Sequence, residues 1–313
     1  MNSVREALRS RVQETLSGQG TGTPQWVLDL EKGTDRGFFA PDSATWTITH
    51  GMPTLVAGIR ALLMQAVHPG ALAGVHDWSR YREDPLGRLN NTIRWIFTVS
   101  YGDTQTAING SNYVLRLHEK VVGDFIDGHG VSRRYSANDP DLLRWVHIAF
   151  TDSFLAAHEL WGDPIPGGPD AYVAEWAKAG ELMGVDGPPR TSAELAAQIA
   201  AYADAGELAG GSRVQEVIRF IRRPPLRRAL RPAYPILFNG AVASIPPRYR
   251  ELLELTPRPL AVPSTRLVLS GAGRLLGNQP AGERAARRRL ARLDAEEADS
   301  RETGDSIVAE AME

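Results

Sequence analysis

Residues 138–158 read NDPDLLRWVHIAFTDSFLAAH and decide the fold class of this 313-residue chain. The opening Asn-Asp-Pro is a typical helix start, because proline is tolerated in the first turn, where its missing N–H has no partner anyway. Apolar residues and one histidine then recur every three or four positions, at Leu143, His147, Phe150 and Phe154. This spacing predicts an amphipathic helix with a histidine on its apolar face.

The same helical period recurs along most of the chain. It predicts helices over residues 85–99, 104–122, 170–184, 192–207, 212–222 and 246–255, with Gly123 ending the second of them. The apolar stretch 55–75 is also helical, but Pro69 removes a backbone donor, so we expect a kink or restart at His68. There is no extended alternation of period two. The predicted fold is all-α, a single globular helical domain.

The segment 266–277, RLVLSGAGRLLG, resembles a strand, a glycine turn and a helix. Its spacing, G-x-G-x-x-x-G, differs from the dinucleotide-binding fingerprint, and too little chain follows to complete a parallel sheet. We therefore predict a loop here.

The composition suits one main domain, with 42% hydrophobic and 23% charged residues. We divide the chain into an N-terminal helix and hinge at 1–24, a helical domain at 25–280 and a charged segment at 281–313. This last segment runs from an arginine-rich patch into acidic residues, and we expect a solvated helix and a partly disordered tail.

The N-terminus lacks the apolar core of a signal peptide, and no apolar run reaches the roughly 18 residues of a membrane-spanning helix. We expect a cytoplasmic protein without a transmembrane segment. The net charge of −2 leaves no general field to attract nucleic acid. An arginine cluster is predicted to be a solvated surface; it comprises Arg213, Arg219, Arg222, Arg223, Arg227, Arg228 and Arg231.

Several chemistries are excluded by the residues present. The chain has no cysteine, which removes disulfides, thiolate zinc sites and iron–sulfur clusters. The motifs HEKVV at 118 and HELWG at 158 lack the second histidine of a zinc protease, and no Glu has a His three residues later, as di-iron bundles require. Neither a Walker A loop nor a G-x-S-x-G elbow is present.

Histidine is unusually frequent within the apolar helical stretches. Four of the seven histidines lie there, namely His68, His118, His147 and His158. Each could be a hydrogen-bonded core residue, but an imidazole facing the interior of a helical protein is also the usual setting for haem. Cations and hydroxyls that could bind the haem propionates are available on the predicted helix 85–99, at Arg88, Thr92 and Arg94.

Four segments of the sequence, taken in order along the chain, resemble a known protein family. They read FFAPDSATW from residue 38, LLMQAVHPGALAGVHDWSRYREDPLGRLNNTIRWIFTVSYGD from 62, VLRLHEKVVG from 114 and DPDLLRWVHIAFTDSF from 139. Together they resemble the haem-dependent oxygenase family of MpaB and the catalytic domain of the rubber oxygenase, latex-clearing protein. The resemblance covers roughly residues 35–255. It implies an all-α fold around one b-type haem, and O₂ chemistry on a hydrophobic small molecule, with an electron donor as a further partner.

The resemblance also implies roles for individual residues. The family's proximal histidine lies in a motif like R-L-M-H-x-x-V, which RLHEKVV matches with one residue fewer, so His118 is the expected iron ligand. Arg88 and Thr92 match an Arg-x-x-Lys-Thr element beside the haem, with Asn91 in place of the lysine. Because asparagine is a poor iron ligand, we expect an open distal position.

The remaining histidines are candidates for supporting roles. His68 and His147 are each candidates to donate a hydrogen bond to bound dioxygen on the distal side or to orient a propionate, although each could equally be a core residue bonded to a carbonyl. Asp103 and Asp152 are expected to pair with arginines in structural roles. Two other functions stay open at this point, a non-enzymatic haem-binding or haem-sensing protein and a helical scaffold without cofactor.

Overall fold

The computed structural model describes residues 23–78, 85–226, 228, 230–277 and 279–310. The predicted N-terminal helix, in residues 1–22, lies outside them. The described part is mostly helical, as predicted. Its helices are α1 Gln25–Asp29, α2 Ala44–Thr49, α3 Pro53–Ala66, α4 Pro69–Trp78, α5 Pro85–Tyr101, α6 Thr104–His118, α7 Pro140–Trp161, α8 Gly168–Leu182, α9 Ser192–Asp204, α10 Ser212–Arg222, α11 Tyr234–Ser244, α12 Pro247–Leu253, α13 Ala261–Leu276 and α14 Ala281–Glu310, and its two strands are β1 Val122–Ile126 and β2 Ser132–Ser136.

Helix α7 is the central element. It begins at Pro140, as the sequence predicts, and it packs most extensively on α3, with α8, α9 and α4 around it. Trp145 of α7 is fully buried, and its indole N–H donates to the carbonyl of Gln65 at the end of α3. The candidate site described below is arranged around the first half of this helix.

The predicted break at His68 is confirmed as a sharp bend. Helix α3 ends at Ala66 and α4 restarts at Pro69, with an angle of 113° between them. Proline suits the first position of α4, and His68 caps it, because its Nδ1 accepts hydrogen bonds from the backbone N–H groups of Gly70 and Ala71 at 3.2 and 3.4 Å. Within the described residues no single helix is long and apolar enough to cross a membrane; α3 and the start of α4 meet that test only together, as this bent pair.

The predicted helix 104–122 is too long. Helix α6 ends at His118, and the chain then forms a hairpin of β1 and β2, paired antiparallel from Val122 opposite Ser136 to Ile126 opposite Ser132. Its turn is held locally, since Asp127 accepts the backbone N–H groups of His129 and Val131 through one carboxylate oxygen.

Gly123, which was expected to end a helix, is instead a strand residue. It lies under the ring of Tyr135, and a Cβ there would come within 2.9 Å of the ring. The glycine is therefore explained by a close approach between strands rather than by a helix C-terminus.

The predicted loop at 266–277 is wrong, because these residues form most of helix α13. This helix packs on α11, where Thr265 faces Gly240 and donates a hydrogen bond to the carbonyl of Ile236. A Cβ at Gly240 would lie 2.3 Å from the Thr265 hydroxyl, so the glycine permits the close contact. Tertiary packing thus keeps a glycine-containing segment helical.

The C-terminal helix α14 was predicted to be exposed to solvent, and for its first third this prediction is wrong. Residues that are buried against α1 and α5 are Glu283, Ala285, Ala286, Arg289 and Leu290. Arg289 is fully buried and donates to the carbonyl of Leu30 at 2.7 Å. Beyond Leu290 nearly every described side chain is exposed, as expected. The arginine cluster of α10 and the following loop is also exposed, as predicted, apart from Arg227, which lies outside the described residues.

Candidate functional site

Helices α5 and α6 form an antiparallel hairpin, and its register places the predicted cofactor residues. The indole N–H of Trp95 on α5 donates to the hydroxyl of Ser111 on α6 at 3.1 Å. Because both helices advance about 1.5 Å per residue, the same register sets residue 88 level with His118 and residue 92 level with Val114. The backbone therefore brings the two implied motifs to one end of the hairpin. The side chain of Arg88 lies outside the described residues.

The turn between these helices is fixed by Asp103. One of its carboxylate oxygens accepts the backbone N–H of Thr106 at the start of α6, and the other accepts that of Thr34. Asp103 thus caps a helix and ties it to the N-terminal segment, and its charge partly offsets the effect of burial, which lowers the pKa of the buried Arg289. The expected structural role beside an arginine is therefore supported. The expected pairing of Asp152 is confirmed, since it contacts the buried Arg60 at 2.6 Å.

His118 is the last residue of α6 and is half-buried. The chain turns away immediately after it, since the backbone N–H of Val121 donates to the His118 carbonyl and β1 follows. On the α7 side, Asn138 donates from its side-chain amide to the carbonyl of Leu115, one turn before the histidine. His118 consequently lies where α6, the hairpin and the start of α7 meet.

An apolar cluster fills the space between α6, α7 and α8 beside this position. It consists of Leu143, Met183 and Val185, with Trp95, Val114 and Leu115 packed against them. These are the side chains next to the end of α6. The surroundings of the end of α6 are therefore apolar.

His147 lies one turn beyond Leu143, on the same face of α7. It is buried against Gly180 of α8, where a Cβ would lie 3.0–3.1 Å from three ring atoms. Burial lowers its pKa from 6.5 to about 4, so the imidazole is neutral near pH 7. Among the described residues its buried Nε2 has no hydrogen-bond partner. This is a neutral ring with an unused nitrogen.

His68 lies on the other side of α7. Its ring contacts those of Trp145 and Tyr202, each with centroids 5.8 Å apart. On a helix, positions 145 and 147 point about 200° apart. His68 packs on the face of α7 that carries Trp145, whereas the His147 side chain extends from the opposite face. The structure does not bring these two histidines together.

Two carboxylates lie near His68 that the sequence did not single out. Asp141, Glu207 and the His68 imidazole each offer a ligand atom within 4.8 Å of the others, and Tyr202 donates to Asp141 at 2.9 Å. The three positions are distant in sequence and belong to separate elements, so no spacing motif connects them.

The donor set around His68 is nevertheless poorly suited to a metal ion. Its Nδ1 already accepts two backbone N–H groups, so the neutral ring carries its proton on Nε2, the atom that faces Glu207 at 3.9 Å. A metal-bound histidine normally has the reverse arrangement, with its second nitrogen donating. Burial also lowers the pKa of His68 to about 4. The geometry therefore favours a neutral capping residue.

The other predicted residues on α5 differ in exposure. Thr92 is half-buried, whereas Asn91 and Arg94 are exposed. The charge of Arg94 makes a minor contribution to the lowered pKa of Asp29, after the Gln25 hydrogen bond and the effects of Lys32. Arg94 and Trp95 are adjacent in sequence and therefore point about 100° apart on α5.

The profile of one protein family matches residues 46–278, three quarters of the chain; it is described as ER-bound oxygenase mpaB/B′/rubber oxygenase, catalytic domain. The chain belongs to this family. The resemblance noted in the sequence is therefore confirmed, and membership of the MpaB/rubber oxygenase family assigns a general oxygenase role to the chain. Comparisons with curated proteins and with solved structures gave no significant match. All the elements around His118, from α5 to α8, lie inside the matched region.

Proposed function

We propose that this chain is a haem b-dependent oxygenase that uses O₂ or peroxide to oxidise a hydrophobic small molecule. The observation that carries the proposal is the register of α5 and α6, which sets position 88 level with His118 beside an apolar cluster. Haem needs a nitrogen ligand for iron, apolar walls for the porphyrin and cations for the propionates. The imidazole of His118, the apolar cluster and the backbone of residue 88 meet at this one end of the hairpin, and residues of these types suit the group.

Each side chain then has a defined task. His118 would hold the iron through a neutral imidazole, and Arg88 would supply a cation for a propionate. Thr92 lies one turn from Arg88 and donates a hydrogen bond on the same face. Asn91 stands where the rubber oxygenase element has a lysine, and its amide would be a poor ligand for the iron. When bound, the haem supplies the activation of oxygen.

The surrounding residues control water and protons. The cluster of Leu143, Met183 and Val185 is buried and excludes water from the face next to α6. His147 stays neutral because burial opposes its protonation, so its Nε2 can make one hydrogen bond towards a bound group without adding charge. His68, on the opposite face of α7, caps α4 and supports the site through the position of that helix.

The proposal is tested by haem titration of the purified chain, followed by oxygen uptake with a set of hydrophobic alkenes and alcohols. We expect a Soret band at one haem per chain and oxygen consumption that depends on the organic substrate. A chain that binds no haem refutes the cofactor assignment. Stoichiometric haem binding without turnover would favour the alternative of a haem-binding or haem-sensing protein.

A further inference from the structure

A cleft of about 600 Å³ opens between the end of α2, the end of α7, helix α13 and the start of α14. Its volume suits a small organic molecule. His158 of α7 lines this cleft, whereas Leu143 of the same helix belongs to the apolar cluster beside α6. The two positions differ by 15 residues, which is about 22 Å along the helix axis. The cleft is therefore separate from the candidate site described above.

The wall of the cleft contains a histidine that is paired with a buried carboxylate. The side chain of His50, the residue after α2, is 31% exposed, and its Nδ1 lies 2.6 Å from the Glu283 carboxylate, whose side chain is 1% exposed. Burial raises the pKa of Glu283, but the hydrogen bonds and charges of His50 and Arg287 lower it more. Glu283 is therefore ionised near pH 7 and can only accept, so the neutral His50 ring carries its proton on Nδ1 and its lone pair on Nε2.

The Nε2 atom of His50 is available to a ligand. Within the part of the chain that the structure describes, no residue forms a hydrogen bond with it, and the ring lines the cleft. A carboxylate bonded to one nitrogen of an imidazole makes the other nitrogen more basic. The cleft thus presents a strong hydrogen-bond acceptor to a molecule that carries an O–H or N–H group.

Two buried polar atoms of the cleft residues also lack partners among the described residues, namely Trp46 Nε1 and His158 Nδ1. Trp46 is 2% exposed and His158 is 3% exposed. The Nε2 of His158 donates to the carbonyl of Asp163 at 2.8 Å, so its Nδ1 carries a lone pair. Because buried polar atoms are normally paired, these residues suit a wall beside which a bound molecule or water supplies the missing partners.

The charges that line the cleft favour a neutral molecule. Arg287 is paired with Glu283, and Arg266 donates to a backbone carbonyl. Arg274 and Asp163 add one charge of each sign. An anion would meet two carboxylates and a cation would meet three arginines, so neither sign is strongly favoured.

We propose that this cleft binds a neutral organic molecule that carries a hydroxyl group on an apolar body, such as a phenol. The hydroxyl donates to His50 Nε2, and Glu283 holds the imidazole in the tautomer that accepts this bond. The apolar body packs against the apolar part of the wall, which consists of Trp46, Met52, Trp161 and Leu269. The inference does not depend on the proposed oxygenase chemistry.

Calorimetric titration of the full chain with β-naphthol tests the proposal. The methyl ether of this probe keeps the rings but has no hydroxyl proton, and it should bind about tenfold more weakly through the loss of one hydrogen bond. Naphthoate, which has the same rings and a negative charge, should also bind more weakly. His118→Gly should bind β-naphthol like the unmodified chain, because His118 lies at the other site.

Two substitutions locate the probe in the cleft. His50→Phe keeps a ring and removes Nε2, so it should weaken β-naphthol about tenfold and leave the methyl ether unchanged. Its control is His129→Phe on the exposed β1–β2 turn. Ser270→Phe adds a ring at an exposed position of α13 that lines the cleft, so it should weaken both compounds without affecting the fold. Its control is Ser300→Phe, on the exposed part of α14.

The proposal is overturned if β-naphthol does not bind, or if its methyl ether or naphthoate binds as tightly. It is also overturned if His50→Phe and Ser270→Phe bind β-naphthol like their controls, because the probe would then occupy another part of the molecule. Should His50→Phe fail to fold, Ser270→Phe and the comparison of the three probes decide the question.

Discussion

The buried end of α14 gives the sharpest stability prediction, through the substitution Glu283→Gln. The Glu283 carboxylate is almost fully buried and contacts His50 Nδ1 at 2.6 Å and Arg287 Nε at 2.8 Å. Glutamine keeps the shape, and its side-chain amide can keep a hydrogen bond with both Arg287 and His50. The substitution therefore isolates the carboxylate charge.

The expected cost follows from these two contacts. Hydrogen bonds to a charged group contribute about 1.5–3 kcal/mol each, and neutral ones about 1 kcal/mol. With glutamine the bond to His50 no longer involves the carboxylate charge, whereas Arg287 keeps its own charge, so the free energy of unfolding at pH 7 should fall by about 0.5–2 kcal/mol. Glu296→Gln is the control on the same helix, because Glu296 pairs with Arg292 on the exposed face. It should change stability by less than about 0.5 kcal/mol.

The pH dependence provides a second readout. Burial raises the pKa of Glu283, but the hydrogen bonds and charges of His50 and Arg287 lower it more, so that it lies below the ordinary 4.5. The stability contributed by the charge is complete above about pH 4.5 and is lost as the pH falls through the lowered pKa. In urea unfolding, the difference between Glu283→Gln and the unmodified chain should shrink below pH 4.5. Equal stability at pH 7 and parallel pH profiles would show that the start of α14 is solvated.

Two further predictions concern the faces of α7 and the glycines around it. Gly180→Ala should displace the His147 ring and lower the haem affinity. The control is Gly58→Ala, where a Cβ meets nothing within 4 Å; it should leave haem binding unchanged and stabilise the fold by about 0.5–1 kcal/mol. Equal effects of the two substitutions in a haem titration would disprove the contact between Gly180 and His147. Because the pKa of His68 is about 4 in the fold, against 6.5 for the free side chain, stability should fall as the pH drops from 6.5 towards 4. His68→Asn, which retains a cap, should reduce that loss in acid denaturation curves, and an NMR titration of the His68 ring with a midpoint near 6.5 would refute the burial argument.

Local signals in the sequence predicted most of the helices correctly. The start of α7 at Pro140 and the break at Pro69 were predictable because proline acts on its own turn of chain. The hairpin was missed because five-residue strands leave little periodicity, and because Gly123 is explained by Tyr135, twelve residues later.

Long-range contacts explain the other differences. Charged residues at the start of α14 suggested solvent exposure, but Arg289 bonds the carbonyl of Leu30, 259 positions earlier. The group of His68, Asp141 and Glu207 likewise has no common motif. At the candidate site, the resemblance supplied His118 and Arg88, while only the register of α5 and α6 set their positions at the same level.

Chemical rescue shows directly whether His118 binds the haem iron. His118→Gly should purify with haem weakly bound and a shifted Soret band, and added imidazole should restore the unmodified spectrum by occupying the vacated position. His147→Gly should keep the unmodified Soret band and show no response to imidazole that the unmodified chain lacks. The account is contradicted if His118→Gly retains the unmodified spectrum, or if His147→Gly is the variant that loses the Soret band and recovers it with imidazole.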